Sequence, residues 1–226
     1  QYYYNKGGRG MMTAVIFDMD GVIADSEYLN VKAKHIQLQM AGVNVDWHYH
    51  DKFLGTTHEF MWTEMKKEFG LKEEVPYYID QWVEVRKKLV EEEGLKPMPG
   101  VVDLIHGLKE NGFKLAVASS SLKEDIMKNM DLFGITDYFD AFISGSECEN
   151  GKPDPEIFLK AAEALGKKPE ECIVVEDSTA GVHAAKSAGM YCIGYAPEDA
   201  PKQDISKADK VIRQFSNQVL KDNMEI

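Results

Sequence analysis

Short apolar runs that stop abruptly at polar residues restrict the fold of this 226-residue sequence more than any other feature. Near-continuous apolar runs of this kind are typical of strands that are buried on both faces of a parallel sheet. The runs occupy residues 13–17, 114–118, 141–143 and 172–175.

Helical segments separate these runs. The first carries apolar residues three and four positions apart over 101–108 and stops at 111–112. A second opens with Asp154 as the N-cap and Pro155 as the first helical residue, and a third follows Ser178 as its N-cap. Alternating strands and helices predict a doubly wound, Rossmann-like α/β core. The functional site of such a core lies beyond the carboxyl ends of its strands.

The alternation is interrupted once, between about Ser26 and Lys96, where the pattern is helical only. About 70 residues inserted after the first strand are enough for an all-helical cap domain that moves on two hinges over the strand ends. The apolar faces that we predict to be buried in it are Leu29, Ala33, Ile36 and Met40, then Trp62, Met65 and Phe69, and finally Ile79, Trp82, Val83, Leu89 and Val90.

These patterns divide the chain into three parts. We expect residues 1–11 to be a leader, native or added, that lies outside the fold. The polar tail is expected to contain one short strand and a closing helix. The predicted boundaries are 12–26 with 95–226 for the core, 27–94 for the cap, and Val211–Ile212 for the tail strand.

Composition narrows the function classes. The net charge of −12 disfavours nucleic acid as a partner, because polyphosphate backbones are repelled at long range. No apolar run approaches the roughly 20 residues that span a bilayer. Three cysteines without C-x-x-C spacing favour neither disulfides nor structural zinc, so we expect a reducing cytoplasm. We also expect a monomer. Any phosphorylated substrate would need a local cation.

Carboxylates follow two of the predicted strands. Asp18 and Asp20 stand two residues apart after the first strand, before the flexible Gly21, and Glu176 and Asp177 end another. Four carboxylates at one sheet edge repel each other unless a cation holds them together, and oxygen ligands suit Mg²⁺. The alternative is that these acids cap the helices that follow.

Two further strand ends carry groups that bind phosphate. Ser119 offers a hydroxyl, and the amide N–H groups that follow it from Ser120 onward lie at a helix start, which is a natural anion site. Lys152 offers a point positive charge. A lone serine or lysine in a loop is also common as solvated surface, so the value of these residues is their position after cleft-lining strands. Together with the carboxylates they predict a site for a phosphoryl dianion, with one carboxylate as nucleophile.

In that order, Asp18-Met-Asp-Gly-Val22, Ser119, Lys152-Pro153 and Glu176-Asp177 resemble the four motifs of the haloacid dehalogenase superfamily. The helical insertion resembles the cap of its β-phosphoglucomutase-like members. The resemblance covers about residues 12–214.

The resemblance implies a role for each motif residue. Asp18 attacks phosphorus and forms an aspartyl-phosphate, and Asp20 protonates the leaving oxygen and then deprotonates water. Ser119 and Lys152 hold the phosphoryl group. Mg²⁺ is bound by Asp18, the Asp20 carbonyl and Asp177, with Glu176 assisting. The residues alone do not distinguish nucleophile from general acid.

The resemblance leaves the acceptor of the phosphoryl group open. We expect the cap loop to contact substrate through Gly55, Thr57 and His58, although a simple helix start is the alternative. The β-phosphoglucomutases carry an arginine at the position of His58 and a histidine at that of Asn30. Both departures favour a phosphatase over a mutase, and the expected substrate is a small phosphorylated metabolite such as a sugar phosphate. The alternative is that the nearby Arg86, Lys87 and Lys88 supply the positive charge that a mutase needs.

An alternative from another class is a receiver module that accepts phosphate on one aspartate without releasing it. The second carboxylate at Asp20 and the long insertion both disfavour this interpretation.

Overall fold

The computed structural model describes residues 12–53, 58–198 and 203–216. The chain forms two compact units. One comprises the chain up to Ala24 together with the chain from Lys96 onward, and the other spans Asp25–Leu95. We call them the α/β unit and the helical unit.

Six parallel strands form a single sheet in the α/β unit. Their order across the sheet is β3-β2-β1-β4-β5-β6, so the chain starts near the middle and builds outward in both directions. The strands are β1 (Ala14–Phe17), β2 (Lys114–Ser119), β3 (Ala141–Ser144), β4 (Cys172–Glu176), β5 (Tyr191–Tyr195) and β6 (Lys210–Ile212). The predicted doubly wound α/β fold is therefore confirmed. We did not predict β5, whose short sequence includes Gly194, a residue that weakens a strand pattern.

The helices are α1 (Glu27–Met40), α2 (His58–Phe69), α3 (Val75–Glu93), α4 (Val101–Glu110), α5 (Lys123–Leu132), α6 (Glu156–Ala164) and α7 (Thr179–Ser187). Successive residues of β1 point to opposite faces, so Val15 and Phe17 pack with α4 and α5, whereas Ala14 and Ile16 pack with α6 and α7. This two-sided burial explains why the strands are apolar without alternation.

The helix starts next to the site largely follow the sequence pattern. Ser178 caps α7, since its Oγ accepts the Gly181 N–H at 3.0 Å. Helix α6 begins at Glu156, one residue later than predicted, with Pro155 in the cap position. The Asp154 carboxylate still accepts the Glu156 N–H at 3.0 Å. The predicted leader and closing helix lie outside the described residues.

The helical unit consists of α1, a 3₁₀ segment (Trp47–Phe53), α2 and α3. Helix α3 packs against both α1 and α2, and Trp62 stacks on Tyr78 with ring centroids 5.3 Å apart. Among the described residues, no helix has the length and apolarity required to cross a membrane.

Two of the predicted buried faces in this unit are partly wrong. Met40 is 71% exposed because it is the last residue of α1, and Val83 is 48% exposed. Lys34 and Gln37 are buried in α1 instead. Contacts of α1 with both α3 and the 3₁₀ segment bury a broader surface than its apolar residues alone supply.

Candidate active site

A tight turn positions the first pair of carboxylates. The N–H of Asp18 donates to Val175 O at 3.0 Å, which ties the end of β1 to β4. After Asp20, Gly21 adopts a φ of +80°, a left-handed conformation that glycine tolerates without strain. Its N–H donates to Ala24 O at 2.9 Å, so the chain turns back immediately beyond the strand end.

Lys152 lies between two buried carboxylates. Its Nζ donates to Asp18 Oδ1 at 2.6 Å, to Glu176 Oε1 at 2.7 Å and to Ala118 O at 3.2 Å. The side chains of Lys152, Asp18 and Glu176 are 7%, 10% and 1% exposed. The ammonium therefore joins residues from three strand ends.

Burial dominates the electrostatics of this group. It raises the pKa of Asp18 to about 7, with Glu176 adding to the rise and Lys152 opposing it. Burial likewise raises the pKa of Asp177, and the charges of Asp18 and Glu176 raise it further. For Lys152, burial opposes the charged form, but the two carboxylates outweigh it and raise the pKa. The site thus concentrates more negative charge than one lysine compensates.

The Asp177 carboxylate lies against the turn that follows Asp20. A Cβ at Gly21 would be 2.1 Å from Asp177 Oδ2, so only glycine leaves room for it. The crowded oxygens of the buried Asp18 and the half-buried Asp177 fit a magnesium ion, which is hard and prefers oxygen ligands. Within the described ranges, no three His, Cys, Asp or Glu side chains form a ready metal cage. Mg²⁺ needs no such cage, since it is typically held by one or two carboxylates, waters and substrate phosphate.

A hydrogen-bond chain that we did not predict holds Asp20. Ser121 Oγ donates to Asp20 Oδ2 at 2.7 Å, and the Ser121 N–H donates to Ser119 Oγ at 3.1 Å. Ser144 Oγ donates to Ser121 O at 2.7 Å. The only sequence signal was the serine run that follows β2, in which Ser119 is buried and Ser120 is exposed.

Glu176 is fixed on both of its oxygens. Oε1 accepts Lys152, while Oε2 accepts the N–H of Ser178 at 2.7 Å and its Oγ–H at 2.9 Å. A Cβ at Gly181 would be 1.7 Å from Oε1, so the first turn of α7 leaves space for this carboxylate. These contacts make Glu176 a residue that positions Lys152.

Of the predicted cap residues, Gly55 and Thr57 lie outside the described residues. His58 begins α2, and its ring packs on Trp82 with centroids 4.2 Å apart. Burial lowers the pKa of His58, and the charge of Lys34 lowers it further. The ring is therefore neutral at pH 7.

A family model described as haloacid dehalogenase-like hydrolase matches residues 15–195. The chain belongs to this family. The match includes Asp18, Ser119, Lys152 and Asp177, the residues that the fold brings to one edge of the sheet. The predicted family and enzyme class, a phosphoric monoester hydrolase or phosphomutase, are confirmed. Phosphatases and mutases of this family generally depend on Mg²⁺.

Several relatives resemble the chain over most of its length. It is 35% identical over 179 residues to a phosphorylated carbohydrates phosphatase of Thermotoga maritima, covering 79% of this chain and 82% of that one. It is 34% identical to a β-phosphoglucomutase of Bacillus subtilis, covering 92% of both chains. A β-phosphoglucomutase structure from Clostridium difficile has a TM-score of 0.69 and 26% identity, covering 95% of this chain and 98% of that one.

Proposed function

We propose that the protein is a Mg²⁺-dependent phosphatase that hydrolyses a small phosphorylated metabolite, a sugar phosphate, through an aspartyl-phosphate on Asp18. The observation that carries the proposal is that two neighbouring carboxylates, Asp18 and Asp20, have different hydrogen-bond donors. Lys152 holds Asp18 Oδ1 at 2.6 Å, whereas the hydroxyl of Ser121 holds Asp20. The names of the two curated relatives support a phosphorylated carbohydrate as substrate.

In the first step, hydrogen bonding orients the nucleophile Asp18 for attack on phosphorus. Lys152 orients the Asp18 carboxylate through Oδ1, and within the described part of the chain no hydrogen bond engages Oδ2. Oδ2 attacks phosphorus as the bond to the leaving oxygen breaks, and protonated Asp20 gives its proton to that oxygen. When bound, Mg²⁺ supplies positive charge that offsets the phosphoryl oxygens.

The second step restores the enzyme. Asp20, now ionised, takes a proton from water as the water oxygen bonds to phosphorus. The bond between phosphorus and Asp18 breaks, which releases inorganic phosphate. Ser119 and Lys152 stay with the phosphoryl group in both steps, because an anion at the strand ends meets their hydroxyl and ammonium donors.

The helical unit supports water, rather than a sugar hydroxyl, as acceptor. A mutase must hold the distal phosphate of a bisphosphate, yet His58 is neutral at pH 7 and packs on Trp82. Arg86 Nε donates to Asn30 Oδ1 at 2.5 Å, so part of its guanidinium is already engaged. The second candidate is a sugar-phosphate mutase, which is favoured by the similarity to the Bacillus subtilis enzyme over 92% of both chains.

The test is phosphate release from a panel of sugar and nucleotide phosphates, with Mg²⁺ and with EDTA. We expect release only with Mg²⁺. In parallel, β-glucose 1-phosphate with Mg²⁺ and a trace of the bisphosphate should yield free phosphate. Rapid formation of glucose 6-phosphate without free phosphate would show a mutase instead. A phosphorylated protein that lasts for hours without releasing phosphate would indicate a receiver.

Asp18→Asn tests the covalent step, because the amide is nearly isosteric but is no nucleophile. We expect no turnover and no acid-stable incorporation of labelled phosphate into protein, with the far-UV spectrum unchanged. Asp46→Asn, an exposed site in the helical unit, is the matched control and should retain full activity. Retention of more than about a tenth of activity by Asp18→Asn would exclude the aspartyl-phosphate, because an enzyme that has lost its nucleophile cannot form this intermediate.

A further inference from the structure

A carboxylate at the start of α6 holds the loop that carries Lys152, residues 148–155, which we call the Lys152 loop. Oε2 of Glu156 accepts the N–H of Asn150 at 2.9 Å and the N–H of Glu149 at 3.0 Å. Oε1 accepts the same Glu149 N–H at 3.0 Å. Asn150 is two residues before Lys152, so these hydrogen bonds fix the backbone just ahead of the lysine.

The Glu156 carboxylate is charged when it makes these contacts. Lys160, one turn further along α6, forms an ion pair with its Oε1 at 2.7 Å. The hydrogen bond from Lys160 and those from the two loop amides lower the pKa of Glu156 to about 2. The positive end of the α6 dipole favours the same charge. Hydrogen bonds to an ionised acceptor are stronger than those between neutral groups, so this carboxylate holds the loop more strongly than a neutral side chain would.

The Lys152 loop closes on itself around the lysine. The Asp154 N–H donates to Gly151 O at 3.0 Å, and the Asp154 carboxylate accepts the Glu156 N–H at 3.0 Å. Residues 149–151 are exposed, so their side chains supply little packing. The path of the loop therefore depends on hydrogen bonds, and Glu156 takes part in them through both its carboxylate and its backbone N–H.

Helix α6 also contacts the ammonium end of Lys152. The Nζ atom lies 4.9 Å from the centroid of the Phe158 ring, a cation–π distance. Phe158 is fully buried and comes two residues after Glu156 in α6. A lysine has a flexible four-carbon stem, so its ammonium keeps one position only if both ends of the side chain are held. Here α6 holds the backbone end through Glu156 and contacts the ammonium end through Phe158.

We propose that Glu156 is a positioning residue for phosphoryl transfer. Its carboxylate sets the path of the Lys152 loop and thereby keeps the Lys152 ammonium 2.6 Å from Asp18 Oδ1, next to the nucleophile. Glu156 acts on the reaction through Lys152 and transfers no proton itself. The inference rests on the proposed function for the role of Lys152, whereas the loop contacts are independent of it.

Kinetics and phosphate titration of Glu156→Ala test this role. The variant removes both acceptor oxygens, and a misplacement of about 1 Å can cost about 10²-fold in rate. We expect kcat/KM for p-nitrophenyl phosphate to fall about 10- to 100-fold, and inorganic phosphate to bind more weakly in calorimetric titration with Mg²⁺. The matched control is Glu171→Ala, because Glu171 Oε2 accepts the Lys168 N–H at 2.9 Å in a 3₁₀ turn outside the Lys152 loop. This control should match the wild type in both measurements.

Glu156→Gln distinguishes the loop contacts from the charge. Its amide oxygen can still accept both loop N–H groups at the Oε2 position, while its NH₂ group faces Lys160. We therefore expect glutamine to restore most of the rate and most of the phosphate affinity that alanine loses. If the alanine variant does not fold, Glu156→Asp provides the comparison. Its carboxylate is one methylene short of the loop, so it should show the losses expected of alanine.

Two results would overturn the proposal. The first is a kcat/KM and a phosphate affinity in Glu156→Ala equal to those of Glu171→Ala, and the second is a glutamine variant as impaired as alanine. A merely structural role predicts a lower unfolding midpoint for Glu156→Ala, with kcat/KM and phosphate affinity unchanged at temperatures where the variant stays folded. A wild type that hydrolyses no ester would refute the proposed function, and the phosphate titrations would still test the positioning role.

Discussion

Glu176→Gln should destabilise the α/β unit strongly, although it changes only one oxygen to nitrogen. Glu176 is 1% exposed. One of its carboxylate oxygens accepts a hydrogen bond from the Lys152 ammonium, and the other accepts hydrogen bonds from the N–H and the hydroxyl of Ser178. A glutamine has one acceptor and one donor at these positions. Whichever way the amide turns, its NH₂ group faces a buried donor, either the ammonium or the Ser178 groups.

The magnitude follows from these contacts. Breaking a buried ion pair by removing one partner costs about 3–5 kcal/mol. Loss of the Glu176 charge also relieves its repulsion with Asp18 and Asp177, whose pKa values it raises, and we take this relief as about 1 kcal/mol. The net loss is then about 2–4 kcal/mol, which is a large part of the 5–15 kcal/mol typical of folded proteins. For a chain of this length the midpoint should fall by about 4–16 °C.

The assay compares two probes without added Mg²⁺. All three tryptophans, Trp47, Trp62 and Trp82, lie in the helical unit, so fluorescence follows that unit, whereas far-UV circular dichroism follows both. Glu176→Gln should lower the dichroism midpoint. The matched control is Glu93→Gln, which breaks the exposed pair with Lys32 and should cost no more than about 1 kcal/mol.

Two results would refute this reasoning. The first is a Glu176→Gln midpoint no lower than that of Glu93→Gln, which would mean that the buried group contributes nothing net to stability. The second is a shift confined to the fluorescence transition, which would place the effect in the wrong unit.

Three further predictions concern activity. Asp177→Asn should weaken Mg²⁺ activation, and its rate should recover at high Mg²⁺; no recovery would remove Asp177 from the ligand set. Ser121→Ala should lower kcat several-fold with little change in KM, because Asp20 loses its hydroxyl donor, and Ser121→Thr should restore the rate. Failure of that rescue would show that Ser121 acts otherwise. Replacing Thr57 and His58 by alanine should change the ranking of sugar phosphates more than p-nitrophenyl phosphate turnover, whereas equal losses on all substrates would exclude a role in specificity.

The position of much of the site could be predicted from the sequence, because it depends on patterns among residues that are close together in the chain. A buried strand needs a run of apolar residues, so the end of each run marks the sheet edge where Asp18, Ser119 and Glu176 lie. The left-handed turn at Gly21 and the capping serine at 178 are likewise local features, although the room that Gly21 leaves for Asp177 is a tertiary contact. These patterns were sufficient to predict the parallel sheet and the edge at which these residues lie; their catalytic roles stay predictions.

Only the tertiary structure decided which of these groups meet and how their charges balance. Lys152 reaches Asp18 across 134 residues, and Ser121 reaches Asp20 across 101, so no local pattern records either contact. Tertiary contacts also decide which side chains of α1 are buried. The polar Lys34 is buried and the apolar Met40 is exposed, the reverse of what their polarity predicts. Apolar periodicity shows which face a helix would bury by itself, but the helices packed around it determine which face it does bury.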